Sequence, residues 1–309
     1  MSQFSLTKDG RRALDGSLVL WDAETCTILR SLTANPEPGG HVKLSADGSR
    51  AVVSSGVTPL TFWDVENAHI LRQINNWWSS PAEVDLSADG NRALVLSSDG
   101  KHIAVLDFAS TQARVLEWRE ADRHRAARSL DLASNQARVS ESHPARLISA
   151  VLSPDGRRVI AGTDIRLGGQ DWLRPAPSFL LIWDLDHDEA PPRRIDGQAG
   201  GISRIHLNAD GRRAVTCGLD CAVIYWDLET GEILQRLTGH KECLWAVALS
   251  PDERYAVSGG EDRKIILWDL REGKVVNSLW LNSPIKELVW AGNRIVAVSR
   301  GLTFLELQV

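Results

Sequence analysis

Apolar and polar residues alternate along most of this chain in short runs, the period of two that marks strands with distinct faces. The runs are paired about a polar centre. LTKDGRRAL, LSADGSRAV, LSADGNRAL, LSPDGRRVI, LNADGRRAV and LSPDERYAV begin at Leu6, Leu44, Leu86, Leu152, Leu207 and Leu249. Five of these centres are Asp-Gly, which forms a hairpin turn because Gly adopts positive φ at little cost. Val84–Leu86 before one turn and Ala93–Leu96 after it predict a pair of strands. A third strand follows each pair and ends in Trp21-Asp22, Trp63-Asp64, Trp183-Asp184, Trp226-Asp227 or Trp268-Asp269, with degenerate forms at Leu106-Asp107 and Leu305-Glu306. A turn and a last strand, such as Glu232–Leu237, complete the unit.

Four strands recurring about every 42 residues describe a blade that cannot bury both faces alone, so neighbouring blades must stack. On the turn motifs and the five Trp-Asp pairs the chain resembles the WD-repeat (WD40) β-propeller family over nearly its whole length. The resemblance implies an all-β, single propeller domain over residues 1–309, with seven four-stranded antiparallel blades at about 1–35, 36–76, 77–118, 147–196, 197–238, 239–280 and 281–309. Residues 119–146 form an irregular connection.

The interval from Leu106 to Trp183 is nearly two repeats long. Part of it is an insertion of about 13 residues in the Asp164–Phe179 loop. The remainder, around 117–146, holds SLDLASNQARV and reads as a decorated connection, a remnant half-blade or an incomplete eighth blade. At the termini, Met1–Leu6 serves either as the first strand of the first blade or as the missing last strand of the seventh.

In the resembled family a His ahead of the first strand, a Ser or Thr on the second, a loop Asp and the Trp form a buried network. The full set falls here on His240, Ser258, Asp262 and Trp268; the preceding repeat has Thr216, Asp220 and Trp226, with Gln198 where His would stand. The family's docking face implies partner-binding positions at Cys243, Trp245 and Glu261, at Ser203 and Leu219, and at Arg146 and Ile148. Trp245 reads equally as an interface anchor or as packing between blades. The long insertion adds Trp172, Arg166 and Arg174 as a second candidate surface.

Composition narrows the function. Net charge is −5, which argues against general nucleic-acid binding despite the basic stretch Arg119–Arg128. No apolar run approaches membrane-spanning length, and the start has no signal-peptide pattern. Four irregularly placed Cys point to reduced thiols and a cytoplasmic setting, and the excess of Arg over Lys to a bacterial source. Cys217 and Cys221 lack the other ligands of a zinc site. The repeated Asp47, Asp89, Asp155 and Asp210 read as turn formers rather than calcium ligands. Trp77-Trp78 either stacks on a ligand or plugs a gap between blades. With no nucleophile, phosphate-loop or metalloprotease motif, the expectation is a non-catalytic scaffold for protein partners, with no cofactor, no metal and no small-molecule substrate. A regulatory subunit of an NTPase or protease assembly, and a propeller hydrolase or lyase, are the rival readings.

Overall fold

The structure, a computed structural model, describes residues 4–32, 40–54, 60–74, 81–108, 112–117, 128–131, 145–165, 178–187, 190–291, 294–299 and 302–306. It is an all-β propeller fold of antiparallel blades, each a meander in which strands pair in chain order. The residues group into two compact units: Met1–His143 with Pro154–Val159 and Trp183–Pro191, and Pro144–Ser153 with Ile160–Ile182 and Pro192–Val309.

The first unit holds three sheets. Phe4–Leu6 pairs with Arg12–Asp15, Phe4 opposite Asp15, so the N-terminal segment is the first strand of the first blade. The second sheet runs from His41–Leu44 to His69–Ile74. The third runs from Pro81–Leu86 to Gln112–Glu117 and gains a fifth strand, Arg128–Asp131, antiparallel to its outer edge. The irregular connection thus supplies a strand that finds backbone partners on an existing sheet, the smallest unit able to satisfy its peptide groups.

Successive turns in this unit are tied by backbone bonds. Lys8 N–H donates to Ala46 O, Ala46 N–H to Ala88 O, and Ala88 N–H to Pro154 O, each at 3.1 Å. Arg50 and Arg92 reach forward to the carbonyls of Gly90 and Gly156 at 3.2 and 2.8 Å. Arg50 and Arg92, each two residues after an Asp-Gly, therefore join one turn to the next. Within each turn the Asp accepts from the hydroxyl two residues earlier, Ser45 to Asp47 at 2.7 Å. That bond comes first among the groups holding the Asp47 carboxyl below the usual carboxylate range. The carboxylate is occupied locally, as a turn former should be.

Four further sheets follow in chain order. The fourth starts at Ala145–Leu152, the fifth at Ile202–Leu207, the sixth at Leu244–Leu249 and the seventh at Glu287–Ala291. Their first strands lie against one another in that order. Seven four-stranded sheets were expected; among the described residues six have four strands or more, and the seventh has three, ending with Leu302–Glu306. Apolar layers fill the spaces between these sheets: Val215, Tyr225, Leu244, Val247 and Trp268 share one, and Ile182, Ile202, Ile224 and Trp226 another.

Four of the five Trp-Asp tryptophans have a common backbone setting. At Trp21, Trp63, Trp226 and Trp268 the pairing of third and fourth strands shifts register. A bulge increases local twist and re-aims the side chain. Trp226 and Trp268 are buried to 0% and 2% exposure.

Candidate functional site

The sixth sheet shows how the buried indole is satisfied. Trp268 Nε1 donates to Ser258 Oγ at 2.8 Å, Ser258 Oγ lies 2.8 Å from His240 Nε2, and His240 Nδ1 lies 2.8 Å from Asp262 Oδ2. An indole N–H can only donate, so the serine oxygen accepts from it and passes its own proton toward Nε2. Nε2 is therefore the acceptor, and Nδ1 carries the proton given to Asp262. Burial is the leading cause that pushes His240 below its ordinary pKa, against the pull of Asp262, in keeping with a neutral ring.

The fifth sheet builds the same relay with an amide. Trp226 Nε1 donates to Thr216 Oγ1 at 2.9 Å, Thr216 Oγ1 to Gln198 Oε1 at 2.7 Å, and Gln198 Nε2 to Asp220 Oδ1 at 2.9 Å. A glutamine amide presents one acceptor and one donor, as a neutral imidazole does. The departure from His that the sequence displays is thus chemically equivalent. In the first sheet Trp21 Nε1 reaches the loop carboxylate of Asp15 directly, at 2.9 Å. The second sheet has neither solution: Trp63 Nε1 is buried without a hydrogen-bond partner among the described residues.

These relays anchor the loops that display the candidate site. In the first strand of the sixth sheet, Leu244 pairs with Gly260 and Ala246 with Gly259, leaving Trp245 as the extra residue of a bulge. Its neighbours Leu244 and Ala246 are buried at 0% and 1%, while Trp245 is 36% exposed. Its Nε1 donates to Glu261 Oε1 at 2.8 Å, which fixes the ring beside the turn between the second and third strands. Glu261 N–H in turn donates to Cys243 O at 2.9 Å. The bulge needs glycine opposite it: a Cβ on Gly260 would stand 2.1 Å from Cys243 O.

Ser203 occupies the matching bulge of the fifth sheet, between Ile202 paired with Gly218 and Arg204 paired with Cys217. Its hydroxyl lies against Cys217 O at 3.1 Å and also against Leu244 O of the next sheet. Leu219, half-buried, receives the Cys243 thiol on its carbonyl at 3.9 Å. Cys243, Trp245, Glu261, Leu219 and Ser203 therefore lie along one edge of the fifth and sixth sheets. Arg146 is exposed and Ile148 half-buried on the first strand of the fourth sheet. Trp172, Arg166 and Arg174, with Trp77 and Trp78, lie outside the described residues.

Sequence spacing missed two features of this edge. Trp245 and Ser203 are presented by bulges, whose only sequence trace is the glycine facing each, Gly260 and Gly218. Cys221 belongs here as well: its thiol lies 3.9 Å from Leu219 O, the same oxygen that Cys243 approaches. Cys217, its neighbour along the chain, is fully buried, and burial pushes its thiol up to about 12. Among the described residues no group of three or more His, Cys, Asp or Glu is placed to hold a metal ion, and no helix is long and apolar enough to cross a membrane.

Comparison with known proteins bears on this same part of the chain. The family model described as WD domain, G-beta repeat matches residues 190–227 and 231–269. Protein groucho of Drosophila melanogaster is 42% identical over 57 residues, 18% of this chain and 8% of that protein. WD repeat domain-containing protein 83 of Danio rerio is 35% identical over 48 residues, 16% of this chain and 15% of that protein. The chain thus matches only a small part of the length of each of these curated relatives.

Proposed function

We propose that this chain, whose residues 190–269 are WD40 repeats, is a non-catalytic scaffold that docks partner proteins on the edge of its fifth and sixth sheets. The observation that carries the reading is Trp245, a large aromatic lifted out of an otherwise buried strand by a bulge and oriented by Glu261. Aromatic side chains held rigid at a surface lose little entropy on binding and dominate interface energetics. Cys243, Leu219, Ser203 and Glu261 are the further contact positions of this edge, with Arg146 and Ile148 on the fourth sheet. The relays beneath keep the displaying loops in place, which favours docking by a preformed surface. A cytoplasmic setting accords with four cysteines of which none forms a disulfide in the structure.

Affinity capture from the native cells, with wild-type chain and Trp245→Ala compared side by side, tests the reading. Leu234→Ala, on an outer strand, is the control. Partners recovered with wild type and control but lost with Trp245→Ala, at unchanged melting temperature, are the expected outcome. Undiminished recovery with the Trp245 variant would remove this edge as the docking surface.

A further inference from the structure

Cys221 and Cys243 are far apart in sequence but meet at one atom. Cys221 sits in the turn between the second and third strands of the fifth sheet, at a φ of 60°. Cys243 immediately precedes the first strand of the sixth. Each sulfur lies 3.9 Å from the carbonyl oxygen of Leu219. Both residues are partly exposed, and neither belongs to a strand.

We propose that Cys221 and Cys243 are an oxidisable dithiol that closes to an intramolecular disulfide, tying the fifth sheet to the sixth. The oxidant is hydrogen peroxide. One thiol gives up its proton and its sulfur attacks the peroxide oxygen, forming a sulfenic acid and releasing water once the leaving hydroxide takes that proton. The second thiol then attacks the sulfenic sulfur; its proton leaves with the hydroxyl as a second water, and the S–S bond forms. Two thiols lose two electrons and one peroxide is reduced to two waters.

The surroundings select the partner and the reagent. Burial first, then Cys243 and the carboxylates of Asp220, Asp262 and Glu242, raise the Cys221 pKa, which lowers its thiolate fraction and makes it the thiol that closes the bond rather than the one that meets the peroxide. The same acidic fringe repels anionic disulfides such as oxidised glutathione while leaving a small neutral peroxide free to enter. Cys217, fully buried, is withheld from the reaction. Closure would fasten Cys243 in place beside Trp245, but the reaction itself does not depend on that edge being a docking surface.

Peptide mapping decides the matter. The full chain is treated with hydrogen peroxide, capped with N-ethylmaleimide and cleaved without reduction by trypsin and by a protease that cuts before Asp, which separates Cys217 from Cys221 at Asp220. A linked pair of peptides carrying Cys221 and Cys243, lost on adding dithiothreitol and absent from Cys243→Ser, is expected. Both residues capped by maleimide or carried to sulfinic acid in the wild-type chain would overturn the proposal. So would linkage of either to Cys26 or Cys217. The wild-type map suffices should the serine variant fail to fold.

Discussion

Glu253 accepts a hydrogen bond on its carboxylate from Asn208 Nδ2 at 2.8 Å, joining the turn of the sixth sheet to that of the fifth. Arg213 Nη1 and the Tyr225 hydroxyl approach its other oxygen at 3.3 and 3.4 Å. Glu253 stands where five sister turns carry glycine, and it keeps the glycine conformation, at a φ of 59°. The first unit joins such turns by arginines reaching glycine carbonyls; here a side chain in a disfavoured backbone conformation performs the joining.

That arrangement sets strain against contact. Positive φ costs a non-glycine residue about 1–2 kcal/mol, while the Asn208 bond and the exposed Arg213 pair contribute about 1 kcal/mol and less than about 1 kcal/mol. Glu253→Ala keeps the strain and loses the contacts, so it should be destabilising. Glu253→Gly loses both and should be about 1 kcal/mol more stable than the alanine variant. Urea unfolding of the two variants checks the order, and the reverse order would show that the turn is unstrained.

Trp63 has a missing acceptor that one substitution can supply. In the sixth sheet Ser258 pairs with Ile266, and its hydroxyl takes the proton of Trp268; in the second, Val53 holds the equivalent register position opposite Thr61. Val53→Thr places a hydroxyl there, as Thr216 does for Trp226. It should stabilise by about 1 kcal/mol, the usual net value of a buried hydrogen bond. A hydroxyl at the buried and unmatched Val257 should instead destabilise. Thermal unfolding of both variants tests this, and a loss of stability in Val53→Thr would refute it.

His240 gives stability a pH dependence whose sign follows from its lowered pKa. Unfolded, the ring binds a proton near its ordinary pKa; folded, it resists, so the unfolded chain holds more protons between the two values. Stability from this group is present above about pH 6.5 and is lost as pH falls through the folded pKa. His240→Gln, copying the Gln198 relay, should reduce the loss of stability between neutral and mildly acidic pH while remaining folded at neutral pH. Identical pH slopes for variant and wild type in chemical denaturation would show that His240 is not protonated differently in the two states.

Gly260→Ala should disrupt the edge that holds Trp245. The added Cβ would meet backbone atoms, Cys243 O at 2.1 Å and Leu244 Cα at 2.8 Å, which cannot rotate away. A loss of about 3 kcal/mol or more, at the upper end for overpacking, is expected, with a shift in the Trp245 fluorescence. Melting unchanged from wild type would show that the bulge relaxes freely.

The sequence by itself determined the strands, their antiparallel order within each blade and the places of the Asp-Gly turns. Those depend on a period of two and on turn conformations settled within a few residues. The relay of His240, Ser258, Asp262 and Trp268 was implied only by the resemblance to the WD-repeat family, and the bonds of the sixth sheet run through those four residues. Tertiary structure alone decided that Gln198 serves as His240 does, that Trp245 stands out on a bulge, that Phe4–Leu6 joins the first sheet, and that the Cys221 and Cys243 thiols approach the same carbonyl oxygen. Each of these depends on which atoms neighbouring strands and sheets bring into contact, and contacts between residues distant along the chain leave no mark in local spacing.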